Sequence, residues 1–143
     1  MFDVTPIPSM NRYDCGPTCL AMLLNYYSMP YDQKELIEEC GCDITGCNGK
    51  DMLRVGRAHG MDMKSYKTDV DGVVKADRPT IIWWQYDHFV VCCGEDENGQ
   101  VVICNPNTGR FRISRGSFAS FYTGIAFSNG ELGDLPEDEE ATV

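Results

Sequence analysis

Two residue types in this chain offer nucleophilic and acid–base chemistry near neutral pH. The sequence contains two histidines and eight cysteines. Cys15 follows Asp14 and opens an apolar run with the spacing of a buried helix, so it stands at a predicted helix N-terminus. The dipole and free N–H groups there stabilise a thiolate and can receive a developing oxyanion. Cys15 is therefore the candidate nucleophile, although a cysteine in such a run is more often an inert buried thiol.

The candidate general base is His88, which begins a strongly apolar predicted strand. His59 ends a predicted helix, where a histidine interacts with the terminal carbonyl groups, so it fits a structural role. His88 alone would also fit a buried or edge histidine. Asn105 ends the next predicted strand, and a turn between antiparallel strands brings the end of the second beside the start of the first. Asn105 can then accept from the imidazole N–H in a Cys-His-Asn arrangement, or serve only as a turn residue.

The elements that must position these residues change type at Gly60, where the hydrophobic period turns from helical to extended. Helices are predicted at residues 15–28, after residue 32, at 50–59, at 69–76 and at 117–121. Strands are predicted at residues 61–67, 79–84, 88–93, 100–104, 111–114 and 123–127. This order predicts an α+β fold in which N-terminal helices pack on a C-terminal antiparallel sheet.

The length and the net charge of the chain narrow the classes of function that it can have. A chain of 143 residues forms one domain, and a net charge of −10 argues against nucleic acid and anionic membrane partners. Six of the 22 acidic residues lie at positions 130–143, so we expect a domain at 1–129 followed by an acidic disordered tail or linker. The sequence shows no leader and no membrane-inserting segment, and its thiols fit a reducing compartment. The expected location is therefore the cytoplasm.

The cysteine cluster at Cys40, Cys42 and Cys47 allows three interpretations. Three thiols in eight residues can bind zinc, but no fourth ligand is evident and the spacing is not that of paired zinc knuckles. A disulfide is the second interpretation. Free loop thiols are the third, which we favour, so we predict neither a metal nor a cofactor.

An ordered set of segments runs through most of the chain. These segments are Asp14-Cys15-Gly16-Pro17-Thr18-Cys19-Leu20-Ala21-Met22, Asn25-Tyr26-Tyr27, Glu39-Cys40-Gly41, the helix at 53–60, Pro79-Thr80-Ile81-Ile82-Trp83-Trp84, His88-Phe89-Val90-Val91, Asn105-Pro106, Gly109, Phe118 and Tyr122-Thr123-Gly124. In this order and spacing, which are specific as a set, the sequence resembles the C39 peptidases over about residues 7–128.

The resemblance implies a papain-like fold and a cysteine peptidase that cleaves leader peptides after a double-glycine-type motif. It implies Cys15 as nucleophile and His88 as general acid/base. Asn105 stands where the family usually has an aspartate, and it would orient the imidazole. The family places an oxyanion-donating glutamine six residues before the cysteine. This chain has Ser9 there, and a shifted register would let Asn11 supply the amide instead.

The resemblance also implies partners and an alternative function. Trp84 and Tyr86 precede His88 and are candidates for walls of the substrate cleft, although aromatic residues in such a run more often pack in a core. The expected partners are a peptide with a double-glycine leader and the membrane and ATPase domains of a transporter. Because the family glutamine is replaced, the alternative is an impaired domain that binds leader peptide or docks a transporter substrate without turnover.

Overall fold

A six-stranded antiparallel sheet separates two layers of helices in the computed structural model, which describes residues 1–141 and Val143. The strands lie in the order β1-β6-β2-β3-β4-β5, and every neighbouring pair is antiparallel. Their bounds are β1 Met63–Lys67, β2 Thr80–Trp84, β3 His88–Glu95, β4 Val101–Asn105, β5 Gly109–Ile113 and β6 Tyr122–Asn129.

Five helices are distributed over the two faces of the sheet within the described residues. They are α1 Cys15–Tyr26, α2 Gln33–Cys40, α3 Gly49–Ala58, α4 Val70–Val74 and α5 Arg115–Phe121. The first three contribute to the core on one face, and α4 and α5 cover the other face. The expected arrangement of N-terminal helices on an antiparallel sheet is thus confirmed.

Local sequence signals explain where the helices begin. The side chain of Asp32 accepts from the Glu35 N–H at the start of α2, and Asn48 does the same for the Asp51 N–H at the start of α3. Helix α2 ends at Gly41, which adopts the left-handed conformation that glycine permits. Helices α2 and α3 are therefore both started by a side-chain cap.

The central strands are buried on both faces, as their continuous apolar runs predict. Phe89 and Val91 of β3 belong to the core under α1, whereas Val90 and Cys92 belong to the core under α4 and α5. Successive residues of β3 thus pack alternately into two separate cores. This burial holds the start of β3, where His88 lies, in a fixed position.

The segment after β6 packs on the domain, which differs from the disordered tail expected from its composition. Leu132 is 4% exposed and its backbone N–H donates to the Tyr66 hydroxyl. Ala141 is buried, and the Val143 carbonyl accepts from the Gly49 N–H at the start of α3. Two buried apolar residues and a few backbone hydrogen bonds are sufficient to dock this acidic segment; Thr142 lies outside the described residues.

Membrane crossing was not expected from the sequence. None of the helices in the described part of the chain combines the length and hydropathy that a membrane crossing requires.

Candidate active site

Cys15 is the first residue of α1, and its half-buried side chain packs at the margin of the main core. The rest of the helix from Gly16 to Leu24 is buried, which fixes the direction of the helix axis. A Cβ atom on Gly16 would lie 2.7 Å from Met52 Sδ, so this glycine allows α1 and α3 to approach closely. The sequence thus places one partly accessible thiol at the N-terminus of an otherwise buried helix.

The environment of the Cys15 thiol contains opposing influences. Burial raises the pKa of the thiol, and the charge of Asp14 acts in the same direction. The backbone N–H groups of Phe89 and Gly16 lower the pKa by stabilising the thiolate. Because Phe89 directly follows His88, this contact places the Cys15 sulfur next to the backbone at the start of β3.

His88 and Asn105 are hydrogen-bonded, with 2.8 Å between His88 Nε2 and Asn105 Oδ1. His88 is the first residue of β3 and Asn105 the last of β4, so the antiparallel pairing predicted from the sequence brings them together. The Asn107 backbone N–H also donates to Asn105 Oδ1, at 2.9 Å, which identifies that atom as the amide oxygen. An amide oxygen only accepts, so Nε2 carries the proton and Nδ1 is left as the basic nitrogen.

A cavity of about 350 Å³ opens beside this pair. Trp84 lines it. Tyr86 does not line it and is 75% exposed at the tip of the β2–β3 turn, where both Gln85 and Tyr86 adopt the left-handed conformation. The residues that line the cavity are Arg12, Trp84, Gln85, Asp87, His88, Asn105, Asn107 and Thr108.

Arg12 was not singled out by the sequence, because an exposed arginine in a loop has no distinctive pattern. The sequence signal that could have identified Arg12 is its position three residues before Cys15, because the chain passes the cleft immediately before α1. Gln85 likewise belongs to no motif. Both bring polar groups to the cavity that holds His88 and Asn105.

The two candidates for the oxyanion donor differ in their surroundings. The Ser9 backbone N–H donates to the Pro106 carbonyl, and its hydroxyl is buried without a partner among the described residues. Asn11 is exposed, and its Oδ1 accepts from the Tyr13 N–H in a local turn. The Ser9 hydroxyl thus has no partner in this part of the chain, whereas one end of the Asn11 amide is already used.

His59 and the clustered cysteines lie outside the cavity, and Cys15, Ser9 and Asn11 are also not among the residues that line it. His59 Nε2 is 3.0 Å from Glu39 Oε2 at the end of α3, consistent with its structural interpretation. Cys42 and Cys47 form a disulfide, so our preference for free thiols is wrong for these two and correct for Cys40. The cysteines lie in a turn closed by an Asp43–Gly46 bridge, which brings their Cα atoms within 4.6 Å. Within the described residues no group of histidine, cysteine or acidic side chains has the arrangement of a metal site.

Comparison with known proteins gives consistent matches. The model of the peptidase C39 family matches residues 3–129. A double-glycine-motif protease from an AMS/PCAT transporter, solved in complex with its leader peptide, superposes with a TM-score of 0.84 and 30% identity, covering 88% of this chain and 90% of that one. The peptidase domain of Streptococcus ComA superposes with a TM-score of 0.80 at 24% identity, over 87% of this chain and 96% of that domain.

A curated relative adds information about length. The probable microcin-H47 secretion/processing ATP-binding protein MchF of Escherichia coli is 26% identical over 113 residues, which is 79% of this chain and 16% of that protein. This chain therefore corresponds to a small part of that relative. An uncharacterised protein of Methanothermobacter marburgensis matches at 23% identity over 85% of both chains.

Proposed function

Because the chain belongs to the peptidase C39 family, we propose that it is a cysteine endopeptidase that cleaves a leader peptide after a double-glycine-type motif. The observation that carries the proposal is the His88–Asn105 hydrogen bond beside the N-terminus of α1, where Cys15 lies. The match to a double-glycine protease solved with its leader peptide supports the substrate class.

In the proposed reaction His88 Nδ1 accepts the proton of Cys15, and the thiolate attacks the carbonyl carbon of the residue before the scissile bond. Because burial raises the pKa of the thiol, proton transfer to His88 is needed to form the thiolate. Asn105 holds the imidazole by accepting from Nε2. As a neutral amide it aims the ring but adds less stabilisation to the imidazolium than a carboxylate would.

The later steps use the same groups. The backbone N–H groups at the start of α1 hold the oxyanion, with the Ser9 hydroxyl as the additional donor. His88 then gives its proton to the leaving amine, which leaves an acyl-enzyme on Cys15. Water attacks the thioester with His88 as base, and release of the carboxylate product restores the thiol.

Small residues before the scissile bond suit the shape of this cleft. Trp84 is nearly buried against Phe118 and Phe121, so its ring forms a rigid wall of the His88 cavity. A rigid aromatic wall leaves room for glycine more readily than for a branched side chain. Tyr86, exposed at the turn tip, would contact a peptide only from the rim.

The proposed partners come from the relatives. MchF and the colicin V protein CvaB of Escherichia coli are named as secretion/processing ATP-binding proteins, and the chain spans 16% of the length of each. We propose that this domain works with the membrane and ATPase domains of a transporter, on the cytoplasmic side. A reducing compartment would keep Cys15 in its thiol form and would open the Cys42–Cys47 disulfide.

The test is cleavage of a synthetic leader peptide that carries a Gly-Gly motif, with product masses measured. We expect the wild-type protein to cut after the second glycine and Cys15→Ala to be inactive. His88→Ala should lose at least about 10³-fold in kcat/KM, whereas His59→Ala, a matched change at the other histidine, should retain most activity. Equal activity of both histidine variants would contradict the proposal.

A second candidate, a leader-binding module without turnover, is favoured by Ser9 at the position of the family glutamine. The two candidates separate in one experiment, because the binding module would bind the Gly-Gly peptide without cutting it. Ser9→Gln restores an amide donor and should raise kcat by about 10²-fold if one oxyanion donor is missing. Binding by the wild type without cleavage, with cleavage gained by Ser9→Gln, would support the binding module.

A further inference from the structure

The carboxylate of Asp14 is buried beside the nucleophile without acting as a helix cap. Asp14 is 0% exposed and occupies the N-cap position of α1, yet its side chain makes no capping hydrogen bond. Its Oδ2 instead accepts from the Met10 backbone N–H at 2.7 Å. Asp14 therefore turns away from the helix that it precedes.

The sequence of the first helical turn explains this orientation. An N-cap carboxylate usually accepts from the N–H of the second or third helical residue. The third residue of α1 is Pro17, which has no N–H, and the N–H of the second, Gly16, acts on the Cys15 sulfur. With one capping donor absent, Asp14 can bind the preceding loop and leave the Gly16 amide to the thiol.

The loop at residues 10–14 is held by several contacts. Asp14 fixes its beginning through Met10, and Asn11 Oδ1 accepts from the Tyr13 N–H within it. Cys47 Sγ lies 3.5 Å from the Tyr13 carbonyl oxygen. Between these points, Arg12 reaches the cavity that His88 and Asn105 line. The Asp14–Met10 bond thus controls how the loop passes the cleft.

A purely structural role does not account for the Asp14 carboxylate. Its second oxygen, Oδ1, is buried with no hydrogen-bond partner among the residues that the structure describes. Leaving such an oxygen unpaired costs free energy, and residues that carry this cost cluster at functional sites.

We propose that Asp14 is a positioning residue of the active site. Through Met10 it holds the loop at 10–14, with Arg12, at the rim of the His88 cavity, and by leaving α1 uncapped it reserves the first amides of the helix for the Cys15 sulfur and the oxyanion. This inference rests on the proposed peptidase function for its catalytic consequence, and on the buried position of Asp14 next to Cys15 and its bond to Met10 for its effect on the thiol and the loop.

The experiment compares Asp14→Asn and Asp14→Ala with the wild type in two assays. Iodoacetamide labelling of Cys15, located by peptide mass, is followed as a function of pH, and kcat and KM are measured on the Gly-Gly peptide. The titratable groups whose charges act on the sulfur are Asp14 and Cys19, one turn along α1, and the proposed base His88 begins β3. The matched control is Asp69→Asn, the same change at the N-cap of α4, outside the site.

Both Asp14 variants remove a negative charge beside the thiol, which favours the thiolate, so their labelling curves should move to lower pH. Asparagine still accepts from Met10 N–H, so Asp14→Asn should keep kcat within about tenfold, whereas Asp14→Ala should lose about 10²-fold in kcat with little change in KM. Circular dichroism confirms that each variant is folded.

Two results would overturn the inference. One is that Asp14→Asn and Asp14→Ala lose equal activity, because the hydrogen bond to Met10 would then be irrelevant. The other is that both keep the wild-type labelling curve. Labelling of Cys15 does not depend on peptide cleavage. A wild-type protein that is labelled at Cys15 but cuts no peptide would therefore contradict the proposed function. The labelling curves of the Asp14 variants would still test the inference about Asp14.

Discussion

At the scale of single residues, the candidate site depends on how the His88 imidazole is held. Asn105 Oδ1 accepts from His88 Nε2 and from the Asn107 backbone N–H, so the amide is fixed from two directions. Holding the imidazole in this orientation requires a hydrogen-bond acceptor at this position but not a charged one. A neutral amide therefore suffices for aiming the ring.

Asn105→Ala removes this acceptor and frees the ring to rotate, so kcat on a Gly-Gly peptide should fall by about 10²-fold. Asn105→Asp keeps an acceptor and should retain activity within about tenfold. Asn98→Ala is the matched control, because Asn98 is an exposed residue of the β3–β4 turn, at the opposite end of these strands from Asn105. Wild-type kcat in Asn105→Ala would show that His88 is oriented by other groups.

At the scale of elements, the position of α1, which carries Cys15, depends on its packing against α3. A Cβ atom on Gly56 would lie 2.5 Å from Met63 Cγ and 3.3 Å from Leu20 Cδ2. Gly56 therefore sets the distance of α3 from both α1 and β1. Any outward movement of α3 would be passed to the buried face of α1 and so to Cys15.

Gly56→Ala should lower the free energy of unfolding by about 1–3 kcal/mol, because the overpacking outweighs the gain of about 1 kcal/mol in helix propensity. Gly116→Ala in α5 is the matched control, since a Cβ there meets nothing within 4 Å, and its stability should be equal or higher. Urea unfolding measures both. Equal stabilities for the two variants would contradict the close packing of α3.

The positions of most helices and strands could be predicted from the local sequence. The hydrophobic period and the turn glycines located the helices and strands to within about two residues; α1 ends at Tyr26 rather than near Ser28. The His88–Asn105 contact followed from a single hairpin. The position of β6 between β1 and β2 was not predictable in this way, because it depends on pairings between strands far apart in the chain.

At the scale of the whole molecule, the acidic tail is part of the fold rather than an appendage. Its charge suggested disorder, but Leu132 and Ala141 are buried and the backbone of the segment bonds to Ser65 and Tyr66 of β1. A prediction of disorder from composition averages over the whole segment, so it does not register a few well-spaced apolar residues that make contacts. The Cys42–Cys47 disulfide was also beyond prediction, because pairing depends on the distance between residues in the folded loop.

Leu132→Ala should lower the free energy of unfolding by about 2–4 kcal/mol, because it empties a buried site. Leu135→Ala, in the same segment but 37% exposed, should change it by less than about 1 kcal/mol. Thermal unfolding of the two variants provides the comparison. If Leu132→Ala unfolds at the wild-type temperature, the tail is not docked in solution.

The most direct test of the central claim, that His88 activates Cys15 as a nucleophile for small-residue substrates, is covalent labelling with a peptidyl Gly-Gly chloromethyl ketone at pH 7. Mass analysis of the digested protein locates the adduct. The account predicts one adduct per chain, on Cys15, formed by the wild type and at least about 10²-fold more slowly by His88→Ala. Equal rates for the two proteins, or an adduct spread over several cysteines, would contradict it.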